Sequence, residues 1–177
     1  SGPTLDLNTI ATVHGGAGSN EAMGNYYRGG PYVVNMPVNA SIPTTGALSI
    51  SNFYGSSNRQ PISMTIPAST TGYDVWTNKP AAYYPGRSDI VLNIPPGVTV
   101  GGGAGNDALL IPASFSTGDT IRINNSGTIA GGGGNAGGGG PGAAAPSGLV
   151  GTPGGTGAAG RHAVYIAPGL GPIVSIN

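Results

Sequence analysis

Between residues 131 and 160 the chain reads GGGGNAGGGGPGAAAPSGLVGTPGGTGAAG, and glycine recurs there in steps of three. Gly131, Gly134, Gly137 and Gly140 fall in phase. The phase breaks across Ala143-Ala144-Ala145-Pro146-Ser147 and resumes at Gly148, Gly151, Gly154, Gly157 and Gly160. A flexible tether has no need of such a period. A left-handed helix with three residues per turn does, because one of its faces is then bare of side chains and another backbone can approach it. Such a helix has no internal hydrogen bonds, so its N–H and C=O groups must reach neighbouring strands or water. Two in-phase runs joined by a proline-containing break predict two polyglycine-II-like helices packed side by side. Three other readings stay open on the sequence: a glycine/serine linker, a collagen-like array, and irregular glycine-rich loops on a β-scaffold. The linker fits poorly with the strand-like tail that follows, and collagen with so few triplets in phase.

The rest of the composition narrows the class. Charged residues make up 7% of the 177 residues, with a formal net charge of zero, 35 Gly, 16 Pro and no Cys. Large aliphatics and Phe make up about a fifth of the chain, near the level below which chains stay disordered. Disorder usually also requires high net charge. Six Lys and Arg scattered singly form no basic stripe that would displace counterions from phosphates, so nucleic acid is not an expected partner. No apolar run approaches the length of a membrane span. Ser1-Gly2-Pro3-Thr4 lacks the basic-then-apolar pattern of a secretory signal, which leads one to expect a cytosolic product. Without Cys, disulfide frameworks, thiolate zinc sites and thiol catalysis are excluded together.

Three regions separate: 1–60, 61–130 and 131–177. In the first, Leu5-Asp6-Leu7-Asn8-Thr9-Ile10 and Leu48-Ser49-Ile50-Ser51-Asn52-Phe53 share one pattern, which predicts a short strand or a single helical turn, with Asn8 or Ser51 as the cap. The second alternates with period two at 61–67, 90–94, 98–100, 120–123 and 128–129, punctuated by Gly, Pro and Asn. Short strands at such spacing indicate an all-β unit. The tail returns to strand character at 164–166 and 173–176. The expected fold is mainly β: a small β domain with a polyglycine-II-like segment and little or no α-helix.

Catalytic and metal chemistry find little support. His14 and His162 have no neighbour at ligand spacing. The acids Asp6, Glu21, Asp74, Asp89, Asp107 and Asp119 form no pair at strand or helix spacing. Residues 102–110 match one copy of a calcium-binding nonapeptide, but one copy cannot complete a cage of about six to eight oxygens, so a turn between strands is the plainer reading. No Lys-Ser/Thr follows the glycines, which excludes a phosphate loop. No catalytic residue, cofactor or metal is expected. Tyr73, Trp76, Tyr83 and Tyr84 lie in a Pro/Gly/Asn-rich stretch and are candidates for stacking on sugars or anchoring a partner. Trp76 reads equally well as a plug for the β core. Arg161 and His162, after the glycines, are further contact candidates or plain turn residues.

Three elements occur in a particular order: Tyr26-Tyr27-Arg28-Gly29-Gly30, Ile42-Pro43-Thr44-Thr45-Gly46 and Leu48-Ser49-Ile50-Ser51-Asn52-Phe53-Tyr54-Gly55. This order resembles a segment common in tailed-bacteriophage virion proteins. Residues 94–100, 109–112 and 121–134 resemble phage tail-fibre and tail-tip proteins, in which an Asn-Asn-x-Gly-x-Ile-x strand feeds a glycine run. This last motif is similar to the tip adhesins of T-even-like long tail fibres, whose stacked polyglycine helices carry receptor-contacting loops. Those adhesins have several glycine runs, and this chain has one, broken once. The resemblance spans all but about residues 56–88. It implies a non-enzymatic structural protein of the virion, a tail-fibre or appendage component that is adhesin-like at its glycine-rich end. By analogy with the family it implies a homotrimer, contacts with other virion proteins, and a host-surface receptor or glycan as target. Tyr26, Tyr27, Arg28, Phe53 and Tyr54 become the docking or oligomerisation candidates. A capsid decoration or head-fibre protein of the same build is the alternative, and a polyglycine-helix ice-binding protein a further one.

Overall fold

The computed structural model describes residues 5–16, 22–103, 105–140, 153–169 and 173–177. It begins with helix α1, Leu7–His14, followed by 3-10 turns at Met23–Tyr26, Pro37–Asn39 and Ile50–Phe53. The strands follow: β1 Gln60–Thr65, β2 Thr70–Thr71, β3 Tyr73–Asp74, β4 Ser88–Ile94, β5 Thr99–Gly101, β6 Leu109–Ile111, β7 Thr120–Asn125, β8 Thr128–Ala130, β9 Val164–Ile166 and β10 Ile173–Ile176. Their pairing is parallel throughout. One sheet has the order β1-β4-β7-β10, a second β2-β5-β8 and a third β3-β6-β9. The chain therefore visits the three sheets in turn and starts again, which makes a three-faced parallel β-solenoid. Mainly-β character, with few helical residues, is what the sequence led one to expect.

Alternation dictates which side faces in. Strand β4 is buried at every second residue, and so is β1. The register stacks like on like: Ile62 on Ile90 on Ile121 on Val174, and Met64 on Leu92 on Ile123 on Ile176. Val100 from the second sheet and Leu109 and Ile111 from the third close the same core. Each fully buried aliphatic contributes about 1.5–3 kcal/mol relative to exposure. The outer face carries a column of amides. Asn124 Nδ2 donates to Asn93 Oδ1 at 2.9 Å, and Asn93 Nδ2 to the Met64 carbonyl at 3.2 Å. Pro61, which has no N–H, sits on the edge strand β1, where a missing donor breaks no ladder. The corner from β4 to β5 turns at Pro95-Pro96-Gly97, with Gly97 at φ 80°. After β8 the chain leaves the third coil as the glycine-rich segment and returns at β9. The strands of 131–177 are thus rungs of the same solenoid as 61–130.

The N-terminal region packs its own cluster of Ile10, Ala11, Tyr26, Val33, Ile42 and Phe53. The helix there is longer than the single turn expected. Its cap is Asp6, not Asn8: Asp6 Oδ1 accepts from the Thr9 amide at 2.7 Å. Asn8 instead lends its carbonyl to Thr12 Oγ1. In the second copy of the pattern the cap is Ser49, not Ser51, in a capping box with Asn52. In both cases the cap lies two residues earlier than expected, where a side-chain oxygen can reach a free N–H. The buried Asn39 ties this unit to the chain entering β1, donating to the Val34 and Ser57 carbonyls and accepting from the Ser57 amide. The Val38 amide donates to Gln60 Oε1 at 3.0 Å.

His14 is buried, with Nε2 2.9 Å from Ser56 Oγ and Nδ1 without a partner. Ser56 Oγ already donates to the Phe53 carbonyl, so it accepts from His14. Burial lowers the His14 pKa below its ordinary value. The folded state therefore holds the ring neutral while the unfolded chain takes up a proton near about 6.5. Stability of the N-terminal unit is predicted to be level well above that pH and to fall as the pH drops through it to about 5.5, by about 1 kcal/mol or less. Denaturant titrations followed by tyrosine fluorescence check this, and His14→Gln is expected to flatten the dependence.

Candidate functional site

Where the chain leaves the solenoid, strands 131–140 and 153–162 run side by side in opposite directions. The Arg161 amide donates to the Gly132 carbonyl at 2.8 Å, Ala158 to Asn135 at 2.9 Å and Gly155 to Gly138 at 2.8 Å. Donor and acceptor each advance by three residues per bond. The glycines of the counted phase lie between these bonds. A Cβ added at Gly131, Gly134 or Gly137 would overlap the carbonyl oxygen of Arg161, Ala158 or Gly155. Across the pair, a Cβ at Gly154 or Gly157 would stand 2.8 Å from Gly138 O or 2.9 Å from Asn135 O. Gly133, Gly138 and Gly139 have open space at the same position. None of the described glycines of the two strands has a positive φ. The break at 143–147 and the phase members Gly148 and Gly151 lie outside the described residues.

The base of this pair is tied to the second coil. The Ala108 amide donates to the His162 carbonyl and the Leu109 amide to the Ala163 carbonyl, both at 3.0 Å. The His162 amide donates to Asp107 Oδ1 at 2.9 Å, and the His162 ring nitrogen Nδ1 lies 3.0 Å from the same oxygen. The His162 amide, then its ring, hold the Asp107 carboxyl below its ordinary pKa. The segment that matched a calcium loop is a turn between β5 and β6. Its carboxylate faces His162, and no group of three metal-ligating side chains occurs among the described residues.

Two clefts flank the Asp107–His162 pair. One, of about 400 Å³, is lined by Thr71, Tyr73, Asp74, Asn106, Asp107 and Leu110. The other, of about 280 Å³, is lined by Gly105, Asn135, Ala158, Gly160, Arg161 and His162. Strand register places Asp74 beside Leu110. Asp74 Oδ1 accepts from the amides of Trp76 and Thr77, at 2.8 and 3.1 Å, and so starts the turn after β3.

The sequence-derived candidates fall into different environments. Tyr26 and Phe53 are in the N-terminal core, their rings edge to face at 6.2 Å, so they build the unit rather than lie on its surface. Tyr27 is half-buried and its hydroxyl donates to the Gly46 carbonyl. Arg28 is half-buried, its backbone bridged to Val33. Tyr54 is 66% exposed, near the 40%-exposed Ile50. Trp76 and Tyr83 join Phe115 in a three-ring cluster with centroids 5.1–5.8 Å apart. Lys79 Nζ lies 3.8 Å from the Trp76 ring centre and covers a face that a sugar would need. The Tyr83 hydroxyl donates to the buried Asp119 at 2.6 Å, and burial, then this bond, raise its pKa. Tyr84 is half-buried and bonded through its backbone to Ser88 Oγ. Tyr73 is half-buried at the wall of the larger cleft, and Arg161 and His162 are exposed beside the smaller one. Sequence reasoning did not single out Asn106, Asp74 or Asp107 as a group. Only the stacking of coils brings them together.

No family model, curated protein or solved structure matches the chain.

The glycine geometry yields a phase-specific prediction. Gly134→Ala or Gly137→Ala forces a methyl onto a carbonyl of the opposite strand and costs about 1–3 kcal/mol of local stability. Gly133→Ala and Gly139→Ala meet open space and cost nothing measurable. Thermolysin cleavage within 131–160 is the readout: about tenfold faster for the first two variants, unchanged for the second two.

Proposed function

We propose that this chain is a non-enzymatic structural component of a tailed-phage virion. It is a tail-fibre or appendage piece that assembles as a homotrimer, with the glycine pair as a polyglycine-II element at its outward, host-facing end. The observation that carries this reading is the three-residue advance of the hydrogen bonds between 132–138 and 155–161. That spacing suits helices of three residues per turn, the element expected from the adhesin resemblance. A stack of parallel rungs is also a rigid spacer, which suits an appendage. The non-enzymatic reading is supported by the tasks of the described acids. Asp6 caps a helix, Asp74 a turn, Asp89 holds Arg59, Asp107 holds His162, and Asp119 accepts from Ser88, Tyr83 and Ser116. Glu21 lies outside the described residues. The virion is its proposed location, after synthesis in the host cytoplasm, with other virion proteins as neighbours.

Immunogold labelling of particles with antibodies against the purified chain tests the assignment. Label on tails or fibres is the expected result. Label on heads would replace it with the capsid-decoration reading, and particles free of label would overturn both.

A further inference from the structure

We infer that the last rungs of the solenoid, β8, β9 and β10, are a docking surface for the same end of a second copy of this chain. Each is the outer member of its sheet, so among the described strands one row of its N–H and C=O groups has no neighbour. Their inward side chains form an unfinished layer. Ile129, Val164, Ile166, Val174 and Ile176 stand on Val100, Leu109, Ile111, Ile121 and Ile123, all 1% exposed or less. Ile166 is itself 42% exposed and Ile176 51%, and the other three are half-buried. The opposite end is closed. There the inward Ile62 and Met64 of edge strand β1 are 5% and 7% exposed, Pro61 has no N–H to offer, and Gln60 joins β1 to the N-terminal unit.

Three observations select a second copy as the occupant. Residues 128–130, 164–166 and 173–177 hold no Lys, Arg, Asp, Glu or Pro, the residues that ordinarily keep a strand edge from pairing. An uncharged, apolar end is matched by another such end, and a copy of the chain brings one. The coil also ends as a ramp, because β10 is the fourth rung of its sheet and β8 only the third of its own. Turning a copy over about an axis across the solenoid keeps the hand of the ramp, so the two slopes run parallel and step meets step. Strand β9 then lies antiparallel to the partner's β9, centred on Tyr165, and β10 lies on the partner's β8. Val164 falls opposite the partner's Ile166, and Val174 and Ile176 meet the partner's Ile129, so one interior continues into the other. Lastly, the closed β1 end denies a head-to-tail contact, so the assembly is isologous and stops at two ends instead of growing into a filament.

Sedimentation equilibrium of the purified full chain, beside Ile166→Lys, provides the test. The parent is expected to have about twice the mass of the variant, with the same far-UV circular dichroism. That halving is read whether the lateral unit is one copy or three, so the trimer proposed above and this contact stand or fall separately. The chain has no Cys, so a single introduced thiol can bridge only between copies. Facing residues of an antiparallel pair have Cα atoms roughly 4.5–5.5 Å apart, inside the roughly 4.4–6.8 Å range of disulfides. Under air oxidation Tyr165→Cys is expected to link chains in pairs, and Ser63→Cys, on β1, is not. If Ile166→Lys loses its circular dichroism, the two cysteine variants decide alone. The inference is overturned if the folded variant has the mass of the parent, or if Tyr165→Cys forms no link. A parent mass that keeps growing with concentration, or Ser63→Cys linking as fully as Tyr165→Cys, overturns it as well.

Discussion

Hydrogen bonding between successive coils, in parallel register, is the constraint on which the rest of this molecule depends. It sets every second side chain of β1, β4 and β7 into one interior and stacks isoleucine on isoleucine across Ile62, Ile90 and Ile121. That repetition lets a chain with so few large apolar residues hold a core, because each side chain packs on its like in the coils above and below. It also places groups far apart in sequence at fixed separations: Asp74 beside Leu110, and Asp107 within reach of His162. The glycine-rich segment obeys the same rule in another form. There the backbone bonds to backbone with no side chains between, and the absent Cβ atoms are what allow it.

Much of the strand content was legible because alternation is a local signal. The runs at β1, β4 and β7 could be read from four to seven residues each, and those at β5 and β8 from two or three beside a turn signal. What could not be read was their parallel stacking. A Pro-Pro-Gly or Asn-Ser-Gly corner looks the same whether the chain doubles back as a hairpin or turns onto the next face of a solenoid. The available clue was Leu92-Asn93, Ile123-Asn124 and Ile176-Asn177, an apolar-asparagine step shared by β4, β7 and the end of β10, with Met64-Thr65 in its place in β1. Strands β2 and β3 have two residues each, too short for any period. Helix α1 escaped because Asp6 was read as part of an alternating run and not as a cap.

The candidate sites divide along the same line. The triplet glycine phase is written in adjacent residues, and the carbonyls facing Gly134 and Gly137 follow it. The Asp74–Asn106–Asp107 cleft is written nowhere in the local sequence, because its members meet only when one coil settles on the previous one. Aromatic composition was a weaker guide. Tyr26 and Phe53 are core, and Trp76 and Tyr83 belong to a cluster with Phe115, so only part of each aromatic candidate group is left to meet a partner. Low charge fits this picture: ions are few, and the described carboxylates hold turns and joints.

The central claim, that main-chain bonds spaced three residues apart order the glycine pair, can be read residue by residue from amide hydrogen exchange. The account predicts slow exchange at Gly155, Ala158 and Arg161, with fast exchange at the intervening Thr156, Gly157, Ala159 and Gly160. Uniformly fast exchange across 153–162, at the rate of an unstructured peptide, would contradict it.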